Sequence, residues 1–187
     1  VDITGSDINS FLGSAVLDEV HLSTGKYNWD QDRISLTSRQ ENGVRNTRLE
    51  SDLLNISVIG SYQVDQLPRQ FTGMVNYYLH GTPFMTDSMV PQQFEYNISG
   101  HDLHQATAIF YPDIEQLGIL QLSGLFDSGQ RHLTARWLLK NTQYKGIYTE
   151  NVAGEISDRE GHLSYFLRAA PIQVSEQLQL PVSSLEG

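Results

Sequence analysis

The sequence predicts an all-β protein: an extended, curled sheet of antiparallel or mixed strands, taco-like, with two short amphipathic helices. Apolar and polar residues alternate in many short runs along the 187 residues, which is the pattern of half-buried strands. Turn residues separate these runs at short intervals, and in two places the apolar period changes from that of a strand to that of a helix. No low-complexity linker interrupts the chain, so we expect residues 1–187 to form a single β-rich unit.

The first third of the chain predicts a meander of hairpins. Val16, Val20 and Leu22 indicate a strand, and Ile34 and Leu36 indicate another. The segment 41–43 reads Glu-Asn-Gly, and Asn-Gly supplies the positive φ angles that hairpin turns require. Strands joined by such short turns pair antiparallel.

The clearest strand–helix junction follows this meander. Leu54, Ile56 and Val58 alternate with polar residues, and after Tyr62 the period becomes helical, which predicts a helix near 66–80. Asp65 is placed to cap the start of that helix. Its apolar stripe, which needs an apolar surface to pack on, consists of Leu67, Phe71, Met74, Val75, Tyr78 and Leu79.

A shorter version of the same junction follows. Phe94, Tyr96 and Ile98 alternate as a strand, and the spacing after them predicts a helix near 101–111. A strongly apolar run over 119–126 then predicts the next strand, and further alternating runs continue to about residue 169.

Composition limits the classes of function. The formal net charge is −10, which disfavours a nucleic-acid partner and electrostatic adsorption to an anionic membrane. There is no cysteine, which excludes disulfides and thiolate chemistry. No run of 18 apolar residues exists, so no membrane-spanning helix is expected. The chain begins with Val rather than Met, and we expect it to be an internal part of a longer protein.

Catalytic and metal-binding motifs are absent from the sequence. His101 and His104 are spaced to share a helix face, with Asp102 beside them. Two histidines and one carboxylate that points elsewhere do not supply the three or four converging ligands that a metal needs. No nucleophile elbow, phosphate-binding glycine loop or zinc motif occurs. The sequence therefore predicts no enzyme, no metal site and no cofactor.

Three stretches of the chain have a recognisable sequence pattern. The first runs from Leu53 to Pro68 and reads LLNISVIGSYQVDQLP, a strand leading into a short amphipathic helix. The second is FEYNI at 94–98, and the third is LQLSGLFD at 120–127. These stretches resemble TamB-like translocation and assembly module proteins of the AsmA-like superfamily, and the resemblance extends over about Leu49 to Ile156.

The resemblance implies a section of a bridge that is anchored in the inner membrane and spans the periplasm. Such proteins are implicated in phospholipid transport to the outer membrane and in outer-membrane assembly, and they work through an apolar groove in a curled sheet. It implies phospholipid or fatty acyl chains as ligands, and outer-membrane assembly proteins as partners of the full-length protein. The groove candidates are Leu54, Ile56, Val58, Phe94, Tyr96, Ile98, Leu120, Leu122 and Phe126.

Two other interpretations remain open. A closed barrel of the lipocalin or hemophore type would hold one small lipid or haem, with His101 or His104 as the haem ligand. A purely structural or adhesive β-module would need no ligand. As a section of a longer sheet, the chain is also expected to self-associate through its unpaired edges.

Overall fold

The structure is a computed structural model, and it describes residues 2–4, 9–23, 28–80, 90–104, 106–107, 111, 113–159, 162–175, 178–180 and 183–187. The described residues form one sheet of twelve strands with neighbours in chain order from β1 to β11, while β12 pairs with β10. The strands are β1 (Asp2–Thr4), β2 (Leu12–Ser23), β3 (Asn28–Glu41), β4 (Val44–Ser51), β5 (Leu54–Ser61), β6 (Gln93–His101), β7 (Ile114–Asp127), β8 (His132–Tyr144), β9 (Ile147–Arg159), β10 (His162–Ser175), β11 (Leu178–Leu180) and β12 (Ser183–Glu186).

All pairings between the described strands are antiparallel. The prediction of an all-β sheet is confirmed, and no parallel pair occurs in the described part of the chain. The sheet is open, because none of the described pairings joins β1 or β2 to the strands at the opposite edge. The closed-barrel interpretation is therefore wrong.

Two long strands contain a non-glycine residue with a positive φ angle. Glu19 in β2 has φ 54°, and Asn141 in β8 has φ 51°. Non-glycine residues rarely adopt such angles inside strands. The pairing register of β2 with β3 and of β7 with β8 is the same on both sides of these residues, so neither of them is a β-bulge.

The first predicted helix is present within the connection between β5 and β6. It consists of a short 3-10 turn over Val64–Gln66 followed by α1 (Leu67–His80). Asp65 does not cap it, because this residue lies inside the 3-10 turn, whose N-cap is Gln63, without a side-chain capping bond. The side chains of Val75 and Leu79, two members of the predicted stripe, lie outside the described part of the structure.

The second predicted helix, near 101–111, begins later than expected. His101 is the last residue of β6, and its N–H donates to the carbonyl oxygen of Leu53 at 3.0 Å. Asp102 then adopts φ 50°, which ends the strand. Helical geometry is described only at 104, 106 and 107, and the N–H of Thr107 donates to the Leu103 carbonyl at 2.8 Å. Residues 105, 108–110 and 112 lie outside the described residues.

Candidate apolar groove

A row of apolar residues crosses the sheet at right angles to its strands. Ile56 of β5 pairs with Ile98 of β6, Ile98 pairs with Leu122 of β7, and Leu122 pairs with Trp137 of β8. Directly paired residues point to the same face of a sheet. We call the whole set the central row, and its members in strand order are Leu36, Leu49, Ile56, Ile98, Leu122, Trp137, Gly154, Leu167 and Leu185.

The nine groove candidates of the sequence all lie on the face that carries the central row, which we call the apolar face. Val58 pairs with Tyr96, and Phe94 pairs with Phe126. Leu54 and Leu120 both pair with the same residue of β6, Gly100. The register thus brings together residues that are far apart in the sequence. Whether they hold a lipid stays a prediction.

The central row is accessible. Ile56, Ile98, Leu122 and Trp137 are each half-buried, and Leu185 at the sheet edge is 57% exposed. By contrast, the residues of the main buried cluster, among them Phe126 at 1% exposed, lie toward one end of the strands. The middle of the apolar face therefore retains apolar surface that a ligand would remove from water.

Two aromatic rings lie flat across glycines of the next strand. A Cβ atom at Gly124 would come within 2.6 Å of the Tyr96 hydroxyl oxygen, and one at Gly154 within 2.2 Å of Cζ2 of Trp137. The Tyr96 hydroxyl donates to the carbonyl of Thr134 at 3.1 Å, and burial raises the pKa of Tyr96. Because these rings cover neighbouring backbone and do not stand upright, the groove stays shallow and apolar at this point.

Helix α1 packs on the apolar face at one end of the strands. Met74 is fully buried against Phe126 and Leu133, both of which are less than 7% exposed. The Phe71 and Phe126 rings lie 6.3 Å apart, and the Phe94 and Phe126 rings stack at 5.2 Å. We call this region, Met74, Phe94, Phe126 and Leu133, the helix rim.

The contacts of α1 show that it runs across the strands, parallel to the central row. Before its start, the N–H of Asp65 donates to Oδ1 of Asn9 at 3.3 Å, and Arg45 of β4 donates to the carbonyl of the same Asn9 at 2.8 Å. Near its end, the Tyr78 hydroxyl donates to the carbonyl of Arg131, just before β8, at 2.5 Å. A 14-residue helix is about 21 Å long, close to the ~19 Å from β4 to β8.

The segment after β6 contacts the apolar face at the opposite end of the strands. Leu103 is 6% exposed, and a Cβ atom at Gly100 would come within 2.8 Å of its Cδ1. The Leu103 N–H donates to the carbonyl of Leu117 at 3.0 Å. The central row therefore lies between α1 on one side and Leu103 on the other, which makes the helix a border of the groove rather than a plug across it.

The opposite face of the sheet is mainly polar in its middle. Residues paired across it include Ser57, Asn97, Ser123, Arg136 and Glu155. Nε and Nη2 of Arg136 donate to the two carboxylate oxygens of Glu155 at 3.0 and 3.2 Å. The middle of this face is thus more polar than the middle of the apolar face, although the same row continues to Phe166 of β10, which is 37% exposed.

The relation predicted between His101 and His104 is not found in the described part of the structure. His101 and His104 are both exposed, and they do not share a helix face, because His101 belongs to β6. Nδ1 of His101 lies 3.5 Å from Oδ2 of Asp102. No group of three potential metal ligands occurs among the described residues.

Several residues of the groove were missed by sequence reasoning. The central row also contains Trp137, Leu36, Leu49 and Leu167. The sequence does not indicate which residues of the neighbouring strands these four pair with. Leu103 lies in the segment whose spacing predicts the second helix, but the sequence does not indicate which end of the sheet this residue covers.

In the described part of the chain no helix is long and apolar enough to cross a bilayer. No known protein family matches this chain, and neither a curated protein nor a solved structure is significantly similar to it. The resemblance to TamB-like proteins gains no support from these comparisons and stays a prediction.

Proposed function

We propose that this protein binds acyl chains without catalysis, in the groove between α1 and Leu103. The observation that supports it is the central row, an apolar ladder that continues through neighbouring strands and is only half-buried in its middle. An acyl chain lying along the row would leave water, and each methylene that does so gains about 0.8 kcal/mol.

The direction of the row suits a section of a longer lipid-conducting bridge in the periplasm, the role that the sequence resemblance implies. The row runs from strand to strand, and it reaches the sheet edge at the exposed Leu185 of β12. A neighbouring section that paired with this edge would extend the row. Acyl chains would then move across the strands, parallel to α1, without meeting water.

The other edge is less suited to pairing. Beyond Ser14, β2 has no outer partner among the described strands, and it exposes Asp18 and Glu19. Charged side chains and backbone irregularities on an edge strand oppose strand addition. Self-association would therefore use the edge at β10 and β12. Light scattering at increasing concentration measures it, and a monomer at all concentrations would contradict it.

Trp137 offers a direct test, because it lies in the central row. The chain has two tryptophans, so Trp29→Phe leaves Trp137 as the single reporter. Titration with spin-labelled stearic acid should quench its fluorescence to a saturating level. The quenching should be lost in Leu122→Asn and kept in Gln121→Asn, which changes the adjacent, exposed residue on the polar face.

Absence of quenching in a folded Trp29→Phe protein would contradict the proposal, as would equal quenching in both variants. Circular dichroism checks that each variant is folded. Native mass spectrometry of protein purified gently from bacterial cells, followed by solvent extraction, would identify a lipid that the groove retains. A purely structural module would show neither quenching nor a bound lipid.

A further inference from the structure

The face opposite the apolar face carries a patch of side-chain amides and hydroxyls on three neighbouring strands, β5, β6 and β7. Across these strands the residues form two rows of three, and in each row long amides and short serines alternate. The amides are exposed and the serines are half-buried, so the serines form a floor between longer neighbours. We call this set the amide patch, and its members are Asn55, Ser57, Asn97, Ser99, Gln121 and Ser123.

The alternation of long and short side chains leaves two shallow depressions in this face. One, of about 390 Å³, extends over β6, β7 and β8, and the other, of about 350 Å³, extends over β5, β6 and β7. Asn97 and Ser123 border both, so the two depressions adjoin and form one trough. Leu138 lies at the first depression, and Ile59 and Leu125 lie at the second. A ligand in the trough would therefore meet hydrogen-bonding groups together with small apolar surfaces.

The polar atoms of the amide patch are available to a ligand. In the described part of the structure, no hydrogen bond joins any of the six side chains to another residue. None of these side chains has a buried polar atom without a partner, so water reaches the groups that a ligand would use. Each amide can donate two hydrogen bonds and accept others, and each hydroxyl can donate and accept. Binding would exchange water for ligand without breaking an internal hydrogen bond.

The residues around the trough carry no excess of either charge, although the formal net charge of the chain is −10. Arg136 borders the first depression and Glu95 the second. Their charges are opposite, and Arg136 already donates hydrogen bonds to both carboxylate oxygens of Glu155. An anion would also meet the negative field of the whole protein. The trough therefore fits a neutral ligand that is rich in hydroxyl or amide groups.

The spacing of the amide patch suits a linear polymer. Neighbouring strands lie ~4.8 Å apart, and residues of one face repeat every ~6.8 Å along a strand. The distance between strands is close to the length of one sugar ring, so a glycan chain lying across the strands would place one ring over each. Such a chain presents hydroxyl groups at its edges and apolar C–H groups on its ring faces, which matches the mixed surface of the trough.

We propose that the amide patch binds a neutral glycan chain that carries N-acetyl groups. The acetamido groups pair with Asn55, Asn97 and Gln121, whose amides each offer a donor and an acceptor. The acetyl methyl groups contact Leu138 and Leu125, and the ring hydroxyls bond to the serines. This inference goes beyond the proposed function and does not depend on it, because the trough and the central row lie on opposite faces of the sheet.

Nuclear magnetic resonance of the whole chain tests this site with chitohexaose, a linear oligomer of N-acetylglucosamine, as the probe. Titration should shift the side-chain NH₂ signals of Asn55, Asn97 and Gln121 to saturation. The indole signal of Trp137 should stay unchanged, because that ring lies on the apolar face. Cellohexaose has the same linkage but no acetamido group, and it should bind about tenfold more weakly, the scale of one lost hydrogen bond.

Two variants change the trough and a third serves as the matched control. Asn97→Ala removes the amide shared by both depressions and should weaken chitohexaose about tenfold. Ser123→Gln fills the floor of both depressions and should abolish binding. Asn151→Ala removes an exposed amide of β9 on the same face, outside the trough, and should leave the affinity unchanged. The urea midpoint of Asn97→Ala should equal that of the unmodified protein, whereas a structural role of this amide would lower it.

Three results would overturn the proposal: no shift of the amide signals at millimolar chitohexaose, equal affinities of Asn97→Ala and Asn151→Ala, or cellohexaose that binds as tightly as chitohexaose. A response of the same signals to dextran sulfate instead would show that the trough takes anions, which also contradicts it. Circular dichroism verifies that Ser123→Gln is folded, and Asn97→Ala, at an exposed residue, decides the question if it is not. Failure of this site would leave the acyl-chain groove unaffected, since the groove is tested on the other face.

Discussion

The helix rim and the central row occupy the same face of the same strands, yet they differ in burial. At the rim, Met74 and Phe126 are 0% and 1% exposed. Four residues before Phe126 on the same strand, Leu122 of the central row is half-buried. The difference comes from the long β5–β6 connection, because α1 covers one end of the apolar face and leaves its middle accessible.

The comparison shows that alternation alone does not separate a packed core from a binding surface. Phe94, Tyr96 and Ile98 follow one period-two pattern along β6, yet Phe94 packs in the rim cluster and Ile98 lies in the central row. What decides is the element that lies over each residue. Such an element can be recognised in a sequence, but its position over the sheet cannot.

The largest expected difference in the free energy of unfolding is between a truncation at the helix rim and a truncation in the central row. Met74→Ala should lower the free energy of unfolding by about 3 kcal/mol, because it leaves a cavity beneath α1. Leu122→Ala should lower it by only about 1 kcal/mol, since that side chain is already partly in water. Urea denaturation measures both values. Equal losses would mean that the central row is as well packed as the rim, and that no open groove exists.

A substitution at Gly154 tests whether the Trp137 ring lies flat on the sheet within the central row. Gly154→Ala should cost about 2 kcal/mol, because its Cβ would meet the Trp137 ring at 2.2 Å and force it away from the sheet. Gly129→Ala is the matched control, since the nearest atoms to its Cβ are at an ordinary 3.4 Å. Urea denaturation and Trp137 fluorescence would both report the displacement. An unchanged emission spectrum would contradict the flat position of the ring.

Phe71 tests how far the rim extends. The sequence places it on the same stripe as Met74, but it is 51% exposed. Its ring lies 6.3 Å from the ring of Phe126, at the edge of the buried cluster. Phe71→Asp should therefore cost about 1.5 kcal/mol, less than a charge at a fully buried position would. Thermal and urea unfolding measure the loss. A loss as large as that of Met74→Asp would show that α1 sits deeper on the sheet than these contacts imply.

Local features of the fold were predictable from the sequence. The strand at Leu54, Ile56 and Val58 and the helix near 66–80 were both anticipated, since a change of period within one segment is a local signal. The end of β6 was not, because Asp102 adopts a positive φ angle that its residue type does not require. His101 was therefore assigned to a helix instead of a strand.

Features that depend on strand pairing were less predictable. The sequence does not indicate that Trp137 pairs with Gly154 or that the Ile56–Ile98 pair lies next to Leu122, because register is a long-range property.

The smallest expected effect concerns the Tyr78 hydroxyl, which links α1 to the turn before β8. Tyr78→Phe removes its hydrogen bond to the Arg131 carbonyl and should cost about 1 kcal/mol at neutral pH. Burial, followed by Asp158, raises the pKa of Tyr78 in the folded protein above its ordinary value near 10. The phenol therefore ionises more readily in the unfolded chain, so its contribution is fully present below pH 10 and is lost as the pH rises further. Urea denaturation between pH 7 and 11 should show the advantage of the unmodified protein over Tyr78→Phe shrinking above pH 10. A constant difference for Tyr78→Phe would mean that its hydroxyl titrates alike in the folded and the unfolded chain. The end of α1 would then not be anchored at the helix rim.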